Sequence, residues 1–213
     1  LLLTSGGITT DLLAQELIAL AGKSAEETSV LFVPTAANPI LEDKGWLMDN
    51  LAEFQKQDFK QIDIFDIAGS SAEEWRPHFE AADIICFGGG NEQYLAKAMR
   101  ESGVADALPD LLKTKTYMGI SAGSMVMGQF LSHELMKVVY PEEQFDELAP
   151  PLAYVDCLFV PHLNSDYFTH VRKETLQGLA PFKHPLYACD DRSALRVIDG
   201  AIEPVGDGET FQA

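Results

Sequence analysis

Short apolar runs alternate with segments of helical period along most of the chain, and this alternation constrains the fold more than any other feature of the sequence. The runs Ser29-Val30-Leu31-Phe32-Val33 and Asp83 to Phe87 are nearly unbroken in apolar character, as a strand covered on both faces requires. Leu1 to Thr4, Phe59 to Ile67 and Thr116 to Ile120 are further strand candidates. Between them, Thr9 to Gly22 places Leu13, Leu17, Ile18 and Ala21 at helical spacing, with Gly22 as a stop. Helices are also predicted over about Asp43 to Gln57, Ser71 to Ala81, Asn91 to Ser102, and from Ala122 to Gln129. Repeated βα units of this kind fold as a parallel sheet with helices on both faces, and ligands bind at the carboxyl ends of the strands. The length, 213 residues, suits a single domain spanning 1–213.

After Gln129 the pattern becomes less regular. His133 to Ala153 contains Pro141, Pro150, Pro151 and the acidic run Glu142 to Glu147, and reads as a long loop or lid. A strand is predicted at Val155 to Val160 and a helix from about Tyr167 to Leu179. From Leu186 onward short strands are expected, with a turn at Asp199-Gly200.

Composition narrows the function. The formal net charge of −18 repels a phosphate backbone, so nucleic acid is not an expected partner. No stretch approaches the roughly 18 apolar residues needed to span a bilayer, and the opening Leu1-Leu2-Leu3-Thr4 lacks the basic start of a secretory signal. A cytoplasmic protein with no membrane partner, either monomer or homodimer, is expected. Cys86, Cys157 and Cys189 show no C-x-x-C spacing and read as buried free thiols; no H-E-x-x-H pairing is present, and neither metal nor cofactor is expected.

Chemistry concentrates in three short motifs. Gly119-Ile120-Ser121-Ala122-Gly123 matches G-x-S-x-G between a strand and a helical run, where a tight turn raises a nucleophilic serine and flanking glycines allow close backbone approach. The plainer reading is an ordinary Gly-Ser turn. Gly88-Gly89-Gly90-Asn91 follows the Asp83 to Phe87 run and opens a helix, so its unobstructed amides suit a developing oxyanion. A flexible loop and a phosphate loop are the alternatives, although neither G-x-x-x-x-G-K-[ST] nor G-x-G-x-x-G is satisfied. A serine needs a base within reach, and His162, directly after the Val155 to Val160 strand, would emerge at the carboxyl edge of the sheet beside the turn. His78, His133, His170 and His184 lie in helix or loop contexts.

These motifs, in this order and at these intervals, resemble the aspartyl dipeptidases (peptidase E) and cyanophycinases, serine peptidases built on a fold similar to class I glutamine amidotransferases. The resemblance implies a three-layer α/β parallel-sheet sandwich with a flavodoxin-like core and a nucleophile elbow. It implies Ser121 as nucleophile, His162 as base, an oxyanion hole from amides near Gly89, Gly90 and Ala122, and Asn91 at the substrate. For the third member, Asp191 occupies the place before a final strand where family members carry an acid. Glu134 lies where the dipeptidases carry an aspartate, and Asp191 is preferred. Arg172 is the nearest match to the arginine with which the dipeptidases grip an acidic first residue, although Val171 to Thr175 carries one arginine where those enzymes usually show two. The expected function is serine-type exopeptidase cleavage of short peptides, including Asp-X dipeptides. The alternatives are an α/β-hydrolase-type esterase, which usually carries an H-G-G-G-type loop and places its acid before the histidine, and a non-catalytic binding protein on the same fold.

Overall fold

The computed structural model describes residues 1–141 and 150–213. The acidic run read as part of a lid lies outside the described residues. The βα pattern appears as β1 (Leu2–Thr4), α1 (Asp11–Ala21), β2 (Ser29–Val33), α2 (Gly45–Gln55), β3 (Gln61–Ile64), α3 (Ala72–Ala81) and β4 (Ile84–Phe87). It continues through α4 (Glu92–Glu101), α5 (Val104–Leu111), β5 (Thr116–Ile120) and the short α6 (Ala122–Met125). Beyond these come α7 (His133–Val139), β6 (Leu158–Val160), α8 (Lys173–Leu179), β7 (Leu186–Cys189), β8 (Ser193–Ile198), β9 (Ala201–Gly206) and β10 (Thr210–Gln212).

Among the described residues a seven-stranded sheet runs in the order β3-β2-β4-β5-β1-β8-β9. Its first five strands are parallel, with Val33 opposite Phe87 and Leu3 opposite Gly119; β8 and β9 join antiparallel. The apolar runs are continuous because successive side chains enter opposite cores. Leu31, Val33, Ile85, Phe87 and Tyr117 pack on one face with Trp75, Phe79 and Leu95. Val30, Phe32, Ile84, Cys86 and Met118 pack on the other with Leu13, Leu17 and Phe54. The molecule is thus a three-layer α/β sandwich.

Local signals agree with these elements. Thr10 caps α1 by accepting from the Leu13 amide, and Gly22 closes it at φ 69° while donating to the Ile18 and Ala19 carbonyls. Ser71 and Glu74 form a capping box on α3. Asp199 and Gly200 both take positive φ in the tight connection of β8 to β9, at the predicted turn.

Four expectations change. Helix α5 has no counterpart among the predicted elements; Gly103 is its N-cap, and its interior Pro109 weakens the helical signal. The segment read as a loop from His133 begins instead as α7, capped by Ser132, whose side chain accepts from the Leu135 amide. The predicted helix from Tyr167 starts only at Lys173, because the preceding turn directs its polar groups elsewhere. Finally, β6 does not extend the main sheet: it lies parallel to β7 in a second, three-stranded sheet of order β10-β7-β6. Among the described residues no helix is long and apolar enough to cross a membrane.

Candidate active site

The turn between β5 and α6 is built around backbone that only glycine neighbours permit. Ser121 sits at φ 49°, ψ −108°, outside the ordinary wells for a side-chain-bearing residue. Its amide donates to the Thr4 carbonyl at 2.9 Å, while its carbonyl accepts from the amides of Ser124 and Met125. Thr4 Oγ1 donates to the Gly119 carbonyl and Ser124 Oγ to the Thr4 carbonyl, both at 2.7 Å, so the end of β1 ties both sides of the turn. A Cβ on Gly119 would lie 2.6 Å from the Gly123 backbone, and one on Gly123 would lie 2.0 Å from the Phe87 carbonyl oxygen. Packing thus accounts for both glycines of the motif.

The glycine loop after β4 faces this serine. A Cβ on Gly89 would stand 3.5 Å from Ser121 Cβ, and also 3.5 Å from the ring of Trp46. Gly90, at φ 131°, lies so close to the Ala36 carbonyl that a Cβ would fall 2.2 Å from its oxygen. Among the described residues nothing accepts a hydrogen bond from the amides of Gly89, Gly90 or Ala122. Asn91 caps α4, its Oδ1 accepting from the Tyr94 amide at 2.7 Å and its own amide donating to Ala36. The observed role of its side-chain oxygen is therefore structural.

His162 follows β6 and Pro161 and takes φ 64°. Its Nε2 lies 3.0 Å from Ser121 Oγ and its Nδ1 lies 2.7 Å from Asp191 Oδ1. A carboxylate only accepts, so the tautomer of the neutral imidazole that fits these contacts has the proton on Nδ1 and leaves Nε2 to accept from the serine hydroxyl. The imidazole is 17% exposed and the Asp191 side chain 50%. The Asp191 backbone is held by Thr9 Oγ1, which donates to its carbonyl, and by Ser5 Oγ, which donates to the neighbouring Cys189 carbonyl at 2.7 Å.

Glu134 stands in the first turn of α7, exposed, and hydrogen bonds from its own amide and from Ser132 hold its carboxyl below the ordinary value. It acts locally on its helix. Arg172 lies at the start of α8 with its guanidinium against the chain: Nη1 donates to the Phe168 and Val171 carbonyls and Nη2 to the Ser165 carbonyl. Two aromatic residues stand at the site beyond the residues that the sequence motifs mark. Trp46, half-buried in the first turn of α2, brings its ring against Gly89 on the side of Ser121. Phe168 stacks on the imidazole of His162. No sequence signal marks Trp46, whereas Asn164-Ser165-Asp166 after His162 could have suggested a turn in front of Phe168. Cys86, Cys157 and Cys189 are buried free thiols, and burial pushes Cys157 and Cys189 up to about 12. Among the described residues no group of three or more His, Cys, Asp or Glu could hold a metal.

The fold is a mostly parallel α/β sandwich, with a strained serine turn at the end of β5 and a histidine within hydrogen-bond reach of it. The sequence pattern of peptidase family S51 matches residues 1–205, and the chain belongs to that family. It is therefore a peptidase. Two solved structures share the fold. A candidate peptidase E protein from Listeria monocytogenes EGD-e matches with a TM-score of 0.76 at 19% identity, over 97% of this chain and 98% of that one. A peptidase from an acI-B1 actinobacterium matches with a TM-score of 0.67 at 16% identity, over 100% of this chain and 96% of that one. No curated protein matches.

Proposed function

We propose that the chain is a serine-type peptidase of short peptides, with Ser121 as nucleophile, His162 as general base and Asp191 as orienting acid. The observation that carries this reading is the hydrogen-bonded series Asp191–His162–Ser121, with contacts of 2.7 and 3.0 Å, beside the amides of Gly89 and Gly90, which meet no acceptor among the described residues. Ser121 Oγ attacks the scissile carbonyl carbon and passes its proton to His162 Nε2, while Asp191 stabilises the imidazolium. The carbonyl oxygen, now negative, accepts from the amides of Gly89, Gly90 and Ala122. The C–N bond then breaks as Nε2 returns its proton to the departing amine. Water, deprotonated in turn by His162, releases the acyl group and restores Ser121.

The likeness to a candidate peptidase E supports dipeptides, and exopeptidase action, as the first substrates to try. An acidic first residue would require a cation. Arg172 already donates three hydrogen bonds to backbone carbonyls, so an Asp-X preference would draw on its remaining donors. The test is incubation with a fluorophosphonate probe, location of the label by mass spectrometry, and a dipeptide screen covering acidic, neutral and aromatic first residues. Labelling at Ser121 with turnover of one dipeptide class is expected. A label on another residue overturns the nucleophile assignment; no label and no turnover favours a binding protein.

A further inference from the structure

We propose that Phe168 is a positioning residue for His162, and that Arg172 acts through it by locking the turn that carries it. This rests on the reading of His162 as the general base. The contacts of Nδ1 with Asp191 and of Nε2 with Ser121 fix two points of the ring but leave it free to turn about the line between them, and the Asp191 carboxylate is half exposed. A flat partner removes that freedom. The Phe168 ring lies on the imidazole with centroids 4.9 Å apart and planes 19° apart, an offset stack that sets the plane of the ring along which Nε2 reaches Ser121.

Phe168 is itself held on several sides. Tyr140 meets it edge-on at 5.5 Å and 90°, and its hydroxyl donates to the Pro161 carbonyl, next to His162. Tyr167 meets it at 4.9 Å and 84°. The backbone beneath is non-helical. Ser165 Oγ accepts from the amides of Tyr167 and Phe168, and the carbonyls of Ser165, Phe168 and Val171 converge on the Arg172 guanidinium at 2.8, 3.3 and 3.0 Å. A planar fork with several donors can bridge three carbonyls at once, which a lysine ammonium does less well. Arg172 thus ends the turn, starts α8 and keeps Phe168 facing His162.

The test uses the full chain, with two readouts. The first is kcat and KM on the best dipeptide of the screen; the second is the rate of Ser121 phosphonylation by the small fluorophosphonate, which needs the base but few peptide contacts. Phe168→Ala is expected to lower both kcat and the phosphonylation rate by about 10²-fold, the scale of a small misplacement of a catalytic group, with KM nearly unchanged. Phe168→Tyr, which keeps the ring, restores most of both. Phe168→Leu, which fills the space without a flat face, guards against a folding defect and is expected to fall between Ala and Tyr. Arg172→Lys lowers the same two rates, and the Phe168→Ala/Arg172→Lys double variant is no worse than the poorer single one. The proposal is overturned if Phe168→Leu matches the parent. It is also overturned if either residue changes KM alone with phosphonylation unaltered, which would make it a substrate contact, or if the two losses add. Absence of Ser121 labelling in the parent is a different outcome, because it removes the nucleophile reading itself.

Discussion

Asp191 follows β7 as His162 follows its parallel neighbour β6, and although the register that pairs Val160 with Ala188 sets Asp191 one residue beyond the position level with His162, its Oδ1 lies 2.7 Å from Nδ1. The Leu163 amide, donating to the Cys189 carbonyl at 2.9 Å, joins the two segments just past the strands and holds them side by side. Asp191→Asn is expected to lower turnover by up to about 10⁴-fold, because an amide facing Nδ1 favours the wrong tautomer. Glu134→Gln, an exposed change at the first turn of α7, should leave turnover within about twofold of the parent. Steady-state kinetics on one dipeptide decides between the two acids: a larger loss at Glu134 would move the orienting role there.

For the nucleophile, Ser121→Ala is expected to lower turnover by about 10⁶-fold, the scale seen when a triad nucleophile is removed. The elbow should survive, since the Ser121 backbone amide and carbonyl, and not its hydroxyl, make the bonds to Thr4, Ser124 and Met125. Circular dichroism and the urea midpoint should therefore match those of the parent. Near-native activity in this variant would rule out covalent catalysis at Ser121.

The parts of the fold and site legible in the sequence are those set by local chemistry. The β2 and β4 runs are readable because both faces of those strands are buried, and Ser121 and His162 because each sits in a short motif at a strand end. Which sheet a strand joins is a non-local matter. Val155 to Val160 has the composition of a strand, but nothing in its pattern says that its last residues pair with β7 in a second sheet. The same holds for side-chain partners. The resemblance sets Arg172 toward a substrate carboxylate, and nothing in the pattern signals the three carbonyls that its guanidinium meets, which are gathered by the turn from Ser165 to Val171.

Gly90 separates fit from flexibility. A methyl group there meets the Ala36 carbonyl oxygen at 2.2 Å with φ at 131°, so Gly90→Ala combines a backbone clash with a disfavoured conformation and is expected to cost about 3 kcal/mol or more. Because Gly90 also belongs to the proposed oxyanion loop, activity should fall with stability. Gly22→Ala is the control: it has φ 69° but no neighbour within 4 Å, and should cost only about 1 to 2 kcal/mol with kcat unchanged. Urea midpoints and kcat of the two variants, measured side by side, test whether close approach or conformational freedom sets the cost.

The last prediction concerns acid. Asp66 closes the loop after β2: its carboxylate accepts from Thr35 Oγ1 and Asn38 Nδ2, both at 2.7 Å, and from the Ala68 amide at 3.0 Å. Partial burial works to raise this carboxyl, but the hydrogen bonds from Ala68, Thr35 and Asn38 outweigh it and hold the group below its ordinary value. A carboxyl depressed in the folded state stabilises the fold above the unfolded value, near 4, and that contribution is lost as the pH falls through the folded value. The loop it closes includes Ala36, whose carbonyl accepts from Asn91 and packs against Gly90, so its protonation loosens the floor of the glycine loop. Asp66 is largely exposed, and solvent screening limits the effect on the melting temperature to about 2 °C. The parent should therefore lose more melting temperature between pH 5 and pH 3 than Asp66→Asn, by about that amount, since the variant has no proton to gain there and starts from the less stable loop at pH 5. Parallel curves for the two proteins across this range would mean that the Asp66 bonds do not hold the loop.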